Sequence, residues 1–255
     1  NVIPPTTDAS TLDTSVDFSF SHLNPDVILD ALASIDIQVA TGLLALNSYE
    51  NRVYQFADDY HRYVVKFYRA GRWSDEQIQE EHDFALELAA NDIPLVAPSV
   101  IHGKTLHHYA NTRFAVFPSV GGRQFEVDNL DQLEWMGRFI GRMHRVAQTK
   151  SFAHRAPLNA QTHLATPMAQ LRNSILVPAH LQTAFFAILE PVVKLTTELY
   201  QPSGDLIRLH GDCHPGNILW RDGPSFVDLD DCRMGPAVQD LWMMLSGDRH
   251  QQFIQ

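Results

Sequence analysis

The chain has 255 residues, 45% of them hydrophobic, with 30 acidic against 19 basic side chains and a formal net charge of -11. That length and apolar content suit one large domain or two lobes around a cleft; the acidic balance argues against broad nucleic-acid or anionic-membrane binding. Two cysteines, Cys213 and Cys232, are too few for a disulfide framework and fit a reducing cytoplasm, and no apolar run reaches the roughly 20 residues that span a bilayer.

Residues 1–19 combine Pro, Thr, Ser and Asp without the basic start and apolar centre of a secretory signal, so a mobile N-terminal extension is expected there. Asn24 caps a helix over "NPDVILDALASI", with Val27, Ile28 and Ala31 on one face. The alternating segments "NRVYQFAD" and "HRYVVKFYR" predict an antiparallel hairpin. Ser74 to Asp92 predicts a helix with an Ile78, Phe84, Ala85 and Leu88 stripe, and Arg113 to Gly122 a buried strand running into a turn. A long helix follows in "DNLDQLEWMGRFIGRMHRVA", with Leu130, Leu133, Met136, Ile140 and Met143 at helical spacing. Gly137 and Gly141, one turn apart, are expected to admit a close helix neighbour. Residues 160–200 read as mostly helical, and "NILW" and "PSFVDLDD" as two short strands around a tight turn. The fold class expected is α+β: a β-rich N-lobe over 20–119, a Pro/Gly-bearing hinge, and an α-rich C-lobe over 120–255.

The densest chemistry lies in "RLHGDCHPGNILW". His210, Asp212 and His214 would share one side of a strand, but zinc needs further ligands and no distant ligand cluster is evident. Cys213 as a nucleophile needs a base held by a third group, and a small buried packing residue is the simpler reading. A carboxylate reading accounts for more of the chain. Asp212 would orient a hydroxyl and accept its proton, while Asn217 and Asp228 would supply oxygen ligands to Mg²⁺. Lys66, on the strand face opposite Val65 and Phe67, would meet nucleotide phosphates. Glu81 would hold it extended through an ion pair, with Glu80 as the sequence-adjacent alternative.

"HGDCHPGNIL" resembles the catalytic loop of the aminoglycoside phosphotransferase and choline-kinase-like proteins, relatives of the protein kinases. "LNSYENRVYQF", "VVKFYR", "FAVFPSVGGRQFE" and "GPAVQDLWMML" extend the resemblance, from about residue 20 to 248, to a branch of bacterial stress-response kinases. The resemblance implies a bilobal protein-kinase-like fold, ATP with Mg²⁺, and a cytoplasmic enzyme that phosphorylates Ser/Thr hydroxyls of a protein. A small-molecule hydroxyl kinase is the alternative, and a catalytically silent scaffold is disfavoured because Lys66, Asp212, Asn217 and Asp228 are all present. The resemblance carries over Asp212 as catalytic base, Asn217 and Asp228 as metal ligands, Lys66 as phosphate clamp and Ser48 as part of the loop covering the nucleotide. Backbone groups of Phe117 to Ser119 would form the adenine-binding hinge, and Asp240 would brace the catalytic loop.

The sequence also departs from protein kinases. There is no G-x-G-x-x-G loop, "DLDD" stands in place of D-F-G, and no A-P-E segment follows Asp228. The last departure points to a site assembled without an activation segment. Further helices are expected to complete the C-lobe beyond residue 255, and a monomer is expected. Oxidation of Cys213 or Cys232 would disturb the neighbouring carboxylates, although those carboxylates discourage thiolate formation.

Overall fold

The computed structural model describes residues 20–200 and 204–255; the extension expected over 1–19 lies outside the described residues. Helix α1 (Pro25–Ala33) begins where Asn24 Oδ1 accepts the Val27 N–H at 3.0 Å. Strands β1 (Leu44–Leu46), β2 (Arg52–Ala57) and β3 (Arg62–Phe67) follow, then α2 (Asp75–Ala90), β4 (His107–Tyr109) and β5 (Thr112–Pro118). The five strands form one antiparallel sheet in the order β1-β2-β3-β5-β4.

The period-two alternation of β3 and β5 decides which helix each sheet face receives. Val65, Phe67, Phe114 and Val116 pack with Ile28, Ala31 and Leu32 of α1. Ala115 packs on the opposite face with Ile78 of α2, and Lys66 shares that face. Ser74 and Gln77 form a reciprocal capping box that fixes where α2 starts.

The helical half is built around α3 (Leu130–Ala147), which follows the two-residue strand β6 (Arg123–Gln124). Met136, Ile140, Met143 and Ala147 form its buried stripe, together with Gln132. Leu130, expected in that stripe, opens the helix beyond the end of the core and is 52% exposed. Gly137 and Gly141 do not receive a helix: both face outward, and a Cβ at either would meet nothing within 4 Å among the described residues. Phe84, Ala85 and Leu88 of α2 enter the same core as α3, so α2 belongs to both halves.

Beyond α3 come a π-helical turn (Gln161–Ala165), α4 (Thr166–Arg172) and α5 (Ala179–Leu199). Strands β7 (Ile207–Leu209), β8 (Ile218–Trp220), β9 (Pro224–Phe226) and β10 (Arg233–Gly235) precede α6 (Arg249–Ile254). The expected hairpin is β8–β9; β6 extends it, and β10 pairs with β7. No helix among the described residues is long and apolar enough to cross a membrane.

Candidate active site

The alternation that buries Val65 and Phe67 turns Lys66 towards α2, where the residue is 6% exposed. Its Nζ lies 3.0 Å from Asp228 Oδ1, 3.3 Å from Glu81 Oε1 and 3.5 Å from Asp230 Oδ1. Burial disfavours the ammonium, but the carboxylates of Asp228, Asp230 and Glu81 outweigh it and hold the Lys66 pKa well above the usual lysine value. Burial raises the Glu81 pKa to about 7 against the opposing pull of Lys66. The ion pair expected from sequence therefore forms with Glu81. Glu80 points elsewhere and accepts the backbone N–H groups of Ala153, His154 and Arg155.

The loop after β7 is held from below by Asp240. Its two carboxylate oxygens accept the His210 N–H at 3.0 Å and the Gly211 N–H at 2.9 Å, and His144 Nε2 lies 3.0 Å from the first of them. His210 Nε2 is 3.0 Å from the Val227 carbonyl, tying the loop to β9. Gly211 has φ +88°, and a Cβ there would sit 2.1 Å from the Asp231 carbonyl oxygen, so a side chain cannot enter. The strand alternation needed for a His210–Asp212–His214 zinc site ends at Leu209. No group of three His, Cys, Asp or Glu able to hold a metal occurs among the described residues.

Past Gly211 the chain turns through a 3₁₀ segment, Pro215–Asn217, in which His214 Nδ1 accepts the Gly216 N–H. This turn brings Asn217 back over Asp212. Asn217 Nδ2 donates to the Asp212 carbonyl at 2.9 Å and to Asp212 Oδ2 at 3.2 Å. The Asp212 side chain keeps 38% exposure, leaving acceptor capacity towards the cleft.

Asp228 lies two residues beyond the end of β9. The Val227 N–H donates to the Asn217 carbonyl at 3.0 Å, which sets the two strand ends side by side. Asp228 then adopts φ +64°, a conformation costly for a non-glycine residue, and its carboxylate meets Lys66. The Lys66 charge holds the Asp228 pKa below the usual value despite burial. With the Asn217 amide nitrogen committed to Asp212, its Oδ1 and the Asp228 carboxylate remain as hard oxygen donors, a set that fits Mg²⁺ completed by phosphate and water.

Ser48, Lys66, Glu81, Phe117, Ser119, Asp212, Asn217 and Asp228 all line one cavity of about 600 Å³. Ser48 sits on the exposed loop between β1 and β2. The Ser119 backbone N–H is committed to the Arg62 carbonyl at 2.9 Å, and its hydroxyl accepts from Gln55 at 2.8 Å. By strand parity the Phe117 backbone also faces β3, so Phe117 offers its ring to the cavity.

Three further residues tie the site together. Asp230 touches Lys66 and accepts from Asn51 Nδ2 at 3.1 Å, and Arg155 donates to Glu81 Oε2 at 3.0 Å. The "DLDD" run carried a signal for Asp230; Asn51 and Arg155 had none beyond their neighbours. Cys213 and Cys232 are both fully buried and unpaired, and burial pushes both thiols well above the usual range. Their redox role thus lacks both access and thiolate.

The sequence model of the phosphotransferase enzyme family matches residues 42–253. The chain is 51% identical over 239 residues to stress response kinase A of Escherichia coli (strain K12), covering 93% of this chain and 73% of that protein. It is 49% identical, with the same coverage, to a Salmonella typhimurium (strain LT2) protein named serine/threonine protein kinase RdoA. Among solved structures, a microcompartment-associated aminopropanol kinase aligns with TM-score 0.69 at 20% identity, over 88% of this chain and 74% of that one. Amicoumacin kinase hAmiN, in complex with AMP-PNP, Ca²⁺ and Ami, aligns with TM-score 0.64 at 21% identity. That alignment covers 79% of this chain and 62% of the amicoumacin kinase, and at such identities the likeness shows the fold alone. The chain belongs to the phosphotransferase enzyme family, as an ATP-dependent kinase with an α+β, kinase-like bilobal fold.

Proposed function

We propose that this kinase transfers the γ-phosphoryl group of Mg²⁺-bound ATP to a serine or threonine hydroxyl of a protein, in a bacterial stress response. The observation that carries phosphoryl transfer is the convergence of Lys66, Asp212, Asn217 and Asp228 on one cavity. The 49% identity to a protein named serine/threonine protein kinase RdoA supports a protein acceptor.

In this reading Lys66, held by Glu81, meets the nucleotide phosphates, and Ser48 with its neighbours covers them. Asn217 Oδ1 and the Asp228 carboxylate hold Mg²⁺, which supplies charge neutralisation of the phosphates when bound. Adenine lies beside Phe117, where strand parity points the Pro118 carbonyl away from β3. Asp212 orients the acceptor hydroxyl and takes its proton as the oxygen bonds to the γ-phosphorus and the bond to the bridging oxygen of ADP breaks. Asn217 Nδ2 fixes the Asp212 carboxylate for that task.

A second reading, a small-molecule hydroxyl kinase, is favoured by the absence of a peptide-positioning segment between Asp228 and "GPAVQDLW". Labelled ATP offered to bacterial lysate proteins and, separately, to a panel of amino alcohols and aminoglycosides separates the two. Label on proteins, lost in Asp212→Ala, supports the first; label on a metabolite alone overturns it.

A further inference from the structure

Arg155 has no place in the chemistry above, yet its guanidinium is fully buried, and a buried charge persists only where it is well paired. It sits in the loop that follows α3, and every one of its nitrogens is used. Nε donates to the Gln77 carbonyl at 2.8 Å and Nη2 to Glu81 Oε2 at 3.0 Å, both on α2. Nη1 donates to the Asp230 carbonyl at 2.6 Å and the Cys232 carbonyl at 2.9 Å, both on the segment after Asp228. The guanidinium also lies over the Trp73 ring, 4.3 Å from its centroid.

The same loop grips α2 a second time. Glu80 accepts three consecutive N–H groups, from Ala153, His154 and Arg155, while Gln77 Nε2 donates to the His154 carbonyl at 2.9 Å. Phe84 meets Phe152 edge to face. Positions 77, 80, 81 and 84 recur at helical spacing, so one stripe of α2 is bolted to residues 152–155.

We infer that Arg155 is a positioning residue that holds Glu81 against Lys66 and, through the same fork, fixes the Asp230–Cys232 backbone beside Asp228. α2 is thereby a fixed wall of the nucleotide site and not a switch that swings in and out. The arrangement supplies from the α3 side what a chain without an activation segment otherwise lacks. Only a planar guanidinium reaches all four acceptors; a lysine ammonium with three donors cannot. This inference rests on the proposed phosphate role of the Lys66–Glu81 pair.

The test is a double-mutant cycle on kcat and on KM for ATP with Glu81→Gln, Arg155→Met and the double variant, folding being checked by thermal melts. Each single variant is expected to lower kcat/KM for ATP by about 10²-fold, chiefly through KM, and the double variant by little more than either. Arg155→Lys is expected to recover less than a tenth of the loss. Additive effects, or an Arg155→Met enzyme that folds and keeps wild-type kcat/KM, overturn the inference while leaving the Lys66–Glu81 role intact. If Glu81→Gln itself leaves KM for ATP unchanged, the underlying reading fails instead. Should both Arg155 variants fail to fold, Glu80→Gln, which weakens the same loop from a partly buried position, takes the second place in the cycle. Non-additivity with Glu81→Gln then supports the inference, and additivity overturns it.

Discussion

Lys66 and Asp212 face the same cavity, but the Lys66 side chain is 8% exposed and that of Asp212 38%. Lys66 is surrounded by three carboxylates within 3.5 Å. Asp212 is steadied by one amide from Asn217, with His214 Nε2 at 3.5 Å. The sheet side is thus closed and over-determined, which suits the phosphate-holding role proposed for Lys66. The loop side is open, which suits the acceptor-binding and proton-accepting role proposed for Asp212. Rigidity has been placed under the loop instead, where fully buried Asp240 takes two backbone N–H groups.

Substitutions on the two sides should therefore fail differently. Asp228→Ala removes a proposed metal ligand and a partner of Lys66, and is expected to lower kcat by about 10³-fold with altered Mg²⁺ dependence; an unchanged Mg²⁺ titration would count against the metal assignment. Asp240→Asn cannot accept both N–H groups on equivalent oxygens and leaves buried polar groups mispaired. A loss of about 3 kcal/mol in urea-unfolding stability is expected, and a loss under about 0.5 kcal/mol would show that the loop is held elsewhere.

The closed side also has a pH signature. His82, on α2 beneath the cavity, is fully buried between the Tyr68 hydroxyl at 2.7 Å and the Thr105 hydroxyl at 2.9 Å. Burial, reinforced by the positive charges of Lys66 and Arg155, lowers its pKa to about 3. The folded chain then binds fewer protons than the unfolded one, so this stability is present above about pH 6.5 and is lost as pH falls. About 2 kcal/mol should vanish between pH 7 and pH 5. Urea midpoints at the two pH values should differ less in His82→Gln; equal differences would remove His82 as the cause. The smallest effect lies outside both walls: Gly137→Ala and Gly141→Ala, on the open face of α3, should each raise stability by about 1 kcal/mol. A loss there would mean that this face is covered in the intact protein.

What the sequence made legible was local. Alternation put Lys66 opposite Val65 and Phe67, and the amphipathic α2 put Glu81 beside it, because period two and period 3.6 act within a few residues. The spacing of Asp212, Asn217 and Asp228 foretold that the three would converge, since a tight turn and a hairpin bring them together without distant help. Glu81 is preferred to Glu80 because it shares the helix face of Ile78, Phe84 and Ala85, one residue being a rotation of about 100°, and it is Glu81 that meets Lys66. Asn51 and Arg155 were not legible: Asn51 lies 179 residues from Asp230, and Arg155 lies 74 from Glu81. Nothing in "SFAHRAP" announces a buried guanidinium. The Gly137–Gly141 pair misled for a related reason, since helical spacing shows that two residues share a face but not what the face meets.

In the proposed mechanism Asp212 performs the chemistry while the Lys66 side binds the nucleotide. Transfer of labelled γ-phosphate, measured together with ATP affinity in wild type and Asp212→Ala, tests it most directly. ATP affinity within about twofold of wild type and a transfer rate lower by about 10³-fold are expected. A variant that still transfers phosphate at the wild-type rate would contradict it.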